Sequence, residues 1–150
     1  MSTRVFVDTN VLLYFRDASE PAKQKIAKSV FEFLWQTKTG RLSVQVLNEY
    51  FVNVTQKLSP GLSREAAWDD VDSFKSWNPI PIDLPLMRRA FEIRQAHSIS
   101  WWDALIVGAA LSAGCTRLLS EDLSQEVDYG GIQVVNPFTP DFDIEQLVKD

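Results

Sequence analysis

Polar and apolar residues along this chain follow two periods, and the changes between them mark its elements. Short apolar runs bounded by polar residues predict buried strands at Arg4–Val7, around Leu118 and Leu119, and at Ile132–Val135. Elsewhere apolar positions recur every three or four residues, as one face of a helix requires. A short helix opens at Thr9 and carries Val11, Leu12, Leu13 and Phe15. A longer one covers Pro21–Lys38, with Ile26, Val30, Phe33 and Leu34 as its stripe, Lys23, Lys25 and Lys28 around it, and Gly40 as its stop. Arg41–Val44 predicts a second strand, leading into a helix over Gln45–Leu58 that carries Val46, Leu47, Tyr50, Phe51 and Val54.

Ser59, Pro60 and Gly61 break the pattern. Ser63 then caps a helix with Trp68, Val71, Phe74 and Trp77 along one face, ending before Asn78 and Pro79. Ile80–Ile82 is a brief strand candidate, followed by helices over Leu84–His97 and Trp101–Ala113. The last residues, PDFDIEQLVKD, predict a short acidic helix or a mobile tail. The order β-α-α-β-α-α-β-α-α-β-β predicts a three-layer α/β/α domain around a mostly parallel sheet of about five strands.

At 150 residues, 45% of them hydrophobic and including nine Phe and five Trp, the chain can fill one core, so a single domain over 1–150 is expected, with 136–150 as its C-terminal tail. No apolar run reaches the roughly 18 residues of a membrane span, and MSTRVFV lacks the charged and apolar regions of a signal peptide, which predicts a cytoplasmic protein. The lone Cys115, in LSAGCTRLL, excludes an internal disulfide and predicts core packing. One Cys and one His argue against a zinc cage. A net charge of −5 argues against gripping nucleic acid by bulk electrostatics. Such a partner would need local positive charge, from Lys or Arg clusters or from bound metal.

Against this background VFVDTNVLLYF, residues 5–15, is anomalous, because it places Asp8 at the junction of two apolar segments. A buried, unpaired carboxylate costs several kcal/mol or takes up a proton, so Asp8 needs a partner. One candidate is the backbone, with Asp8 capping the helix that starts at Thr9. The other is a cation at the carboxyl end of a strand, where open α/β sheets place their ligand crevices. Three more acids occupy similar positions. Glu49 lies one turn into the helix after the second strand, in VQVLNEYFVNV. Asp103 lies in the first turn of SISWWDALIVGAAL, a helix with almost no polar face, so its one acid points to the interior or a cleft. Asp122 follows a strand in RLLSEDLS, beside Glu121 and after Ser120. Each has an ordinary explanation as a cap, a surface or a turn residue. Together on one edge they would repel unless a divalent cation neutralised them, and carboxylates without sulfur or imidazole suit Mg²⁺ or Mn²⁺. The usual chemistry of such a cluster is phosphodiester hydrolysis.

VFVDTNVLLYF, LNEYFVNV, WWDALIVGAA and LLSEDL, in that order, resemble the acidic motifs of PIN-domain ribonucleases, and the chain's size is similar to that of VapC-type toxins of toxin–antitoxin pairs. The resemblance spans about the whole chain, to the closing VVNPF. It implies that Asp8, Glu49, Asp103 and Asp122 are catalytic, metal-binding acids, supported by Thr9, Asn10 and Ser120, with Glu121 as an alternative fourth acid. It further implies Mg²⁺- or Mn²⁺-dependent cleavage of RNA, a homodimer, and a cognate antitoxin that covers the active site.

Other residues invite a role but have simpler explanations. His97 ends a helix, where a positive charge is favourable. Of Trp101 and Trp102, one is expected in the core and the other near the groove, where it could stack on a base. Arg88, Arg89 and Arg94, with the lysines of the second helix, are the noticeable basic clusters, and solvated helix faces account for them. Two other readings compete. A receiver-like phosphoacceptor wants paired acids after the first strand, where DTN supplies one. A non-catalytic RNA-binding version of the fold would not require all four acids.

Overall fold

The computed structural model describes residues 3–149. Its strands are β1 (Val5–Val7), β2 (Gly40–Arg41), β3 (Arg117–Leu119), β4 (Asp128–Tyr129) and β5 (Ile132–Val135). They form one sheet in the order β2-β1-β3-β5-β4. The pairs β1–β2, β1–β3 and β3–β5 are parallel, and only β4 runs antiparallel to its neighbour β5. Among the described residues six α-helices complete an α/β/α fold: α1 (Thr9–Tyr14), α2 (Pro21–Thr37), α3 (Val44–Gln56), α4 (Arg64–Ser73), α5 (Leu84–Ala96) and α6 (Trp101–Ser112). Among the described residues no helix is long and apolar enough to cross a membrane.

The apolar runs become strands because both faces of the sheet are covered: Val5, Phe6, Val7, Leu118 and Leu119 are all fully buried. Helices α3, α4 and α6 begin where serines can accept orphan N–H groups. Ser43 Oγ accepts from Val46, Ser63 Oγ from Ala66 and Ser100 Oγ from Asp103. Helix α6 is buried along Ala104–Ala110, lies on β3 and β5, and is covered by α5. Gly108 allows this, since a Cβ there would meet the Leu86 side chain at 3.2 Å. Cys115 is buried in the core, which pushes its thiol up to about 12.

Three expectations are corrected. The second strand is Gly40–Arg41 rather than Arg41–Val44, because Ser43 already serves as the N-cap of α3. Ile80–Ile82 is not a strand: only Ile80 forms a bridge, to Ser43, since the flanking Pro79 and Pro81 have no N–H to extend a ladder. The fifth strand is instead β4, which pairs with β5 around Gly130 and Gly131, both at positive φ. Helix α4 stops at Ser73, and Phe74–Trp77 continue as a 3₁₀ turn. The C-terminal segment forms another 3₁₀ turn, Ile144–Val148, with Leu147 buried and the Lys149 carbonyl accepting from Arg117 at 2.9 Å.

Candidate active site

Because β1 and β3 are parallel neighbours with Val7 opposite Leu119, the residues that follow them emerge side by side at the carboxyl edge. Asp8 N–H donates to the Leu119 carbonyl at 2.9 Å, continuing the ladder to the point where Asp8 leaves it. The Asp8 side chain is only 7% exposed. Its Oδ1 accepts from Thr9 N–H at 2.7 Å, so it does cap α1, and its Oδ2 accepts from Ser120 Oγ at 2.9 Å. These bonds do not offset its burial. Desolvation, with the charges of Asp103 and Glu49 adding to it, pushes Asp8 up to about 6 against the pull of the two hydrogen bonds.

The other acids surround Asp8. Glu49, on α3, is held through both oxygens, accepting from Thr9 Oγ1 at 2.7 Å and from Gln45 Nε2 at 2.9 Å. Asp103, in the first turn of α6, is half-buried and raised above the ordinary range by desolvation and by the charges of Asp122 and Glu49. Asp122, in the exposed turn after β3, accepts from Asn10 Nδ2 at 3.0 Å. Asn10 also reaches Asp8 Oδ2 at 3.4 Å and accepts from Glu121 N–H at 3.1 Å. Ser120 is fully buried, and its Oγ accepts from the Asp122 and Leu123 N–H groups, both at 3.2 Å. Thr9, Asn10 and Ser120 thus link Asp8, Glu49 and Asp122 across α1, α3 and the β3 turn.

Among the described residues no lysine or arginine forms an ion pair with any of these four acids. Nor are any three Asp, Glu, His or Cys side chains arranged, as they stand, to hold a metal ion. The charges of the neighbouring acids add to the desolvation that raises Asp8 and Asp103, yet the side chains as they stand share no coordination centre. Glu121 faces elsewhere: Lys23 Nζ reaches it at 2.5 Å and Tyr14 OH at 2.8 Å, and these bonds outweigh burial to hold it below the ordinary range.

The remaining candidates lie as follows. His97 packs its ring against Tyr129 at 4.8 Å, with no bond to the acids. Trp101 is partly buried against the core, and Trp102 beside Asp103 is 61% exposed. Arg88, Arg89 and Arg94 are exposed on α5, and Lys25 and Lys28 are exposed on α2. The residue that sequence reasoning missed is Gln45. It is buried and links Glu49 to the Trp102 carbonyl, which it reaches at 3.3 Å. Its position four residues before Glu49, one helical turn away, was the available signal.

The profile of the PIN domain matches residues 5–127, most of the chain. The chain belongs to the PIN-domain family. No curated protein is similar enough in sequence to match. Among solved structures, this PIN domain is similar to a toxin–antitoxin complex from Klebsiella pneumoniae at TM-score 0.64 and 19% identity, covering 91% of this chain and 98% of that one. It is similar to VapBC2 from Rickettsia felis, solved with a promoter DNA fragment, at TM-score 0.59 and 18% identity, covering 89% and 98%. It is also similar to VapC20 of Mycobacterium tuberculosis, described as a Sarcin-Ricin loop cleaving toxin, at TM-score 0.56 and 19% identity, covering 76% and 86%. At such identities the likeness is one of fold, and this PIN domain shares that fold over nearly its full length.

Proposed function

We propose that this PIN domain is a divalent-metal-dependent endoribonuclease, the toxin of a type II toxin–antitoxin pair. The observation that carries the reading is the group of Asp8, Glu49, Asp103 and Asp122 at one sheet edge, where burial and mutual repulsion raise Asp8 and Asp103 and, among the described residues, no cationic side chain pairs with them. The donor set is oxygen alone, which fits Mg²⁺ or Mn²⁺. Asp8, Glu49, Asp103 and Asp122 would hold the ion. When bound, it supplies the positive charge that acidifies the attacking water and stabilises the departing oxygen of the phosphodiester. Thr9 and Gln45 keep both Glu49 oxygens oriented, Ser120 holds Asp8 by its Oδ2, and Asn10 orients Asp122. No histidine serves as a base here, and none is required where water is activated in this way.

An RNA substrate, a cognate antitoxin and a homodimer are part of this proposal; the first two are supported by the likeness to structures described as a toxin–antitoxin complex and as a Sarcin-Ricin loop cleaving toxin, and the homodimer rests on the motif resemblance alone. Two surfaces support protein partners. One is a cavity of about 390 Å³ lined by Leu12, Phe15, Phe31, Trp35 and Phe74, above the Arg16–Asp70 ion pair. The other is the exposed face of α5 that carries Leu84, Met87 and Phe91.

The test is cleavage of a mixed single-stranded RNA pool by purified, antitoxin-free protein in Mg²⁺, Mn²⁺ or EDTA, beside Asp8→Asn. Metal-dependent cutting that the variant lacks is expected. Folded protein that binds RNA and cuts none of it under any condition would move the reading to a non-catalytic RNA-binding module.

A further inference from the structure

Two carboxylates follow Ser120, and the structure sends them in different directions. We propose that Lys23 and Tyr14 hold Glu121 as an anchor for the Ser120–Leu123 turn, that this clamp positions Asp122 at the acidic edge, and that Glu121 itself stays outside the metal-binding set; the role in metal binding rests on the nuclease reading above.

Both Glu121 oxygens are occupied. Oε2 accepts from Lys23 Nζ at 2.5 Å and Oε1 from Tyr14 OH at 2.8 Å, while Lys23 Nζ also donates to the Tyr14 hydroxyl at 3.2 Å. The three groups close a ring of charge-assisted bonds between α2, α1 and the turn. Aromatic rings wall it: the lysine ammonium lies 4.8 Å from the Tyr14 centroid and 5.6 Å from that of Phe138, and those two rings meet edge-on at 4.9 Å.

The turn is held from its other side by Asn10, which accepts from Glu121 N–H at 3.1 Å and donates to Asp122 Oδ2 at 3.0 Å. Asn10 and Tyr14 lie one helical turn apart on α1, so the same short helix grips Glu121 at its backbone and at its carboxylate. Asp122 has no comparable hold of its own. It is exposed, and its side chain accepts from Asn10 alone among the described bonds. Its position therefore depends on where the turn is held. A partly exposed ion pair contributes little to global stability, so losing the clamp should displace Asp122 more than it unfolds the protein.

The test uses purified, antitoxin-free chain as wild type, Lys23→Met, Glu121→Gln, Asp122→Asn and the exchange Lys23→Glu with Glu121→Lys. Mn²⁺ affinity is read by calorimetry, and amide hydrogen exchange over 119–124 is followed without metal. Lys23→Met is expected to weaken Mn²⁺ binding about fivefold and to speed exchange at 121–123, with Tm changed by about 2 °C at most. The charge exchange is expected to restore both readouts. Tighter Mn²⁺ binding in Lys23→Met would overturn the proposal, since it would mean that a released Glu121 becomes a ligand. So would a Glu121→Gln loss as deep as that of Asp122→Asn beside an unaffected Lys23→Met. If wild type binds no Mn²⁺, the nuclease reading fails, and amide exchange alone decides the clamp: faster exchange in Lys23→Met sustains it, and unchanged exchange overturns it.

Discussion

At pH 7.5 and without metal, folding has to keep the Asp8 carboxylate ionised inside the protein, and Asp8→Asn removes that requirement. Burial and the neighbouring acids push its pKa from the ordinary 3.8 up to about 6. At about 1.4 kcal/mol for each pH unit, this is a cost of ~3 kcal/mol once the group is fully ionised. The folded state holds this proton more tightly than the unfolded chain, so the stability Asp8 allows is complete below pH ~3.8, declines as pH rises to ~6, and is level above that. By pH 4.5 the remaining cost is ~1 kcal/mol. Asparagine keeps an acceptor for Thr9 N–H but presents an NH₂ group to Ser120 Oγ and Asn10, which loses ~1 kcal/mol of hydrogen bonding at either pH. Urea denaturation in EDTA should therefore find Asp8→Asn more stable than wild type by ~2 kcal/mol at pH 7.5 and nearly equal to it at pH 4.5. An Asp8→Asn protein no more stable than wild type at pH 7.5 would refute the reasoning, because it would mean that the buried carboxylate is already compensated by the chain.

Other consequences can be checked alongside. Mn²⁺ at about ten times its Kd should stabilise wild type by ~1.4 kcal/mol, or about 4 °C in Tm at pH 7.5, and should do much less for Asp8→Asn, as thermal denaturation would reveal. Trp102→Ala should raise KM for single-stranded RNA about tenfold while leaving kcat within about twofold, with Trp102→Phe close to wild type; an unchanged KM would remove the exposed indole from the substrate path. Gly40→Ala places a Cβ 2.5–2.7 Å from ring atoms of Trp77 and should cost ~1–3 kcal/mol by chemical denaturation.

The helices were legible because their signals are local. Ser63 and Ser100 announce α4 and α6, and the apolar stripe of α2 points inward through Val30 and Leu34. The strands were harder where pairing rather than composition decides. Ile80–Ile82 has the right side chains but alternates with prolines, and Asp128–Tyr129 has unremarkable ones but precedes two glycines that turn the chain back onto Ile132. The acids were readable as misplaced polar residues at element ends. What restrains them was not readable, because it spans the chain: Gln45 meets the Trp102 carbonyl, and Lys23 meets Glu121 across 98 positions. The choice between Glu121 and Asp122, open in the sequence, becomes a structural question only when Tyr14 and Lys23 are seen to occupy the first of them.

The strand order has a consequence for synthesis. β1 lies inside the sheet, and one of its two partners is β3, which follows it by 112 positions (Val5 opposite Arg117). A nascent or truncated chain that stops before Arg117 already contains Asp8, Glu49 and Asp103, yet it has an open edge along Val5–Val7 and lacks the serine that holds Asp8 from 112 positions away. Such long-range pairing is slow to form and cannot begin until its second half exists. The acidic edge is therefore completed only once β3 and the turn after it have been made, and fragments that stop before Arg117 lack both Ser120 and Asp122.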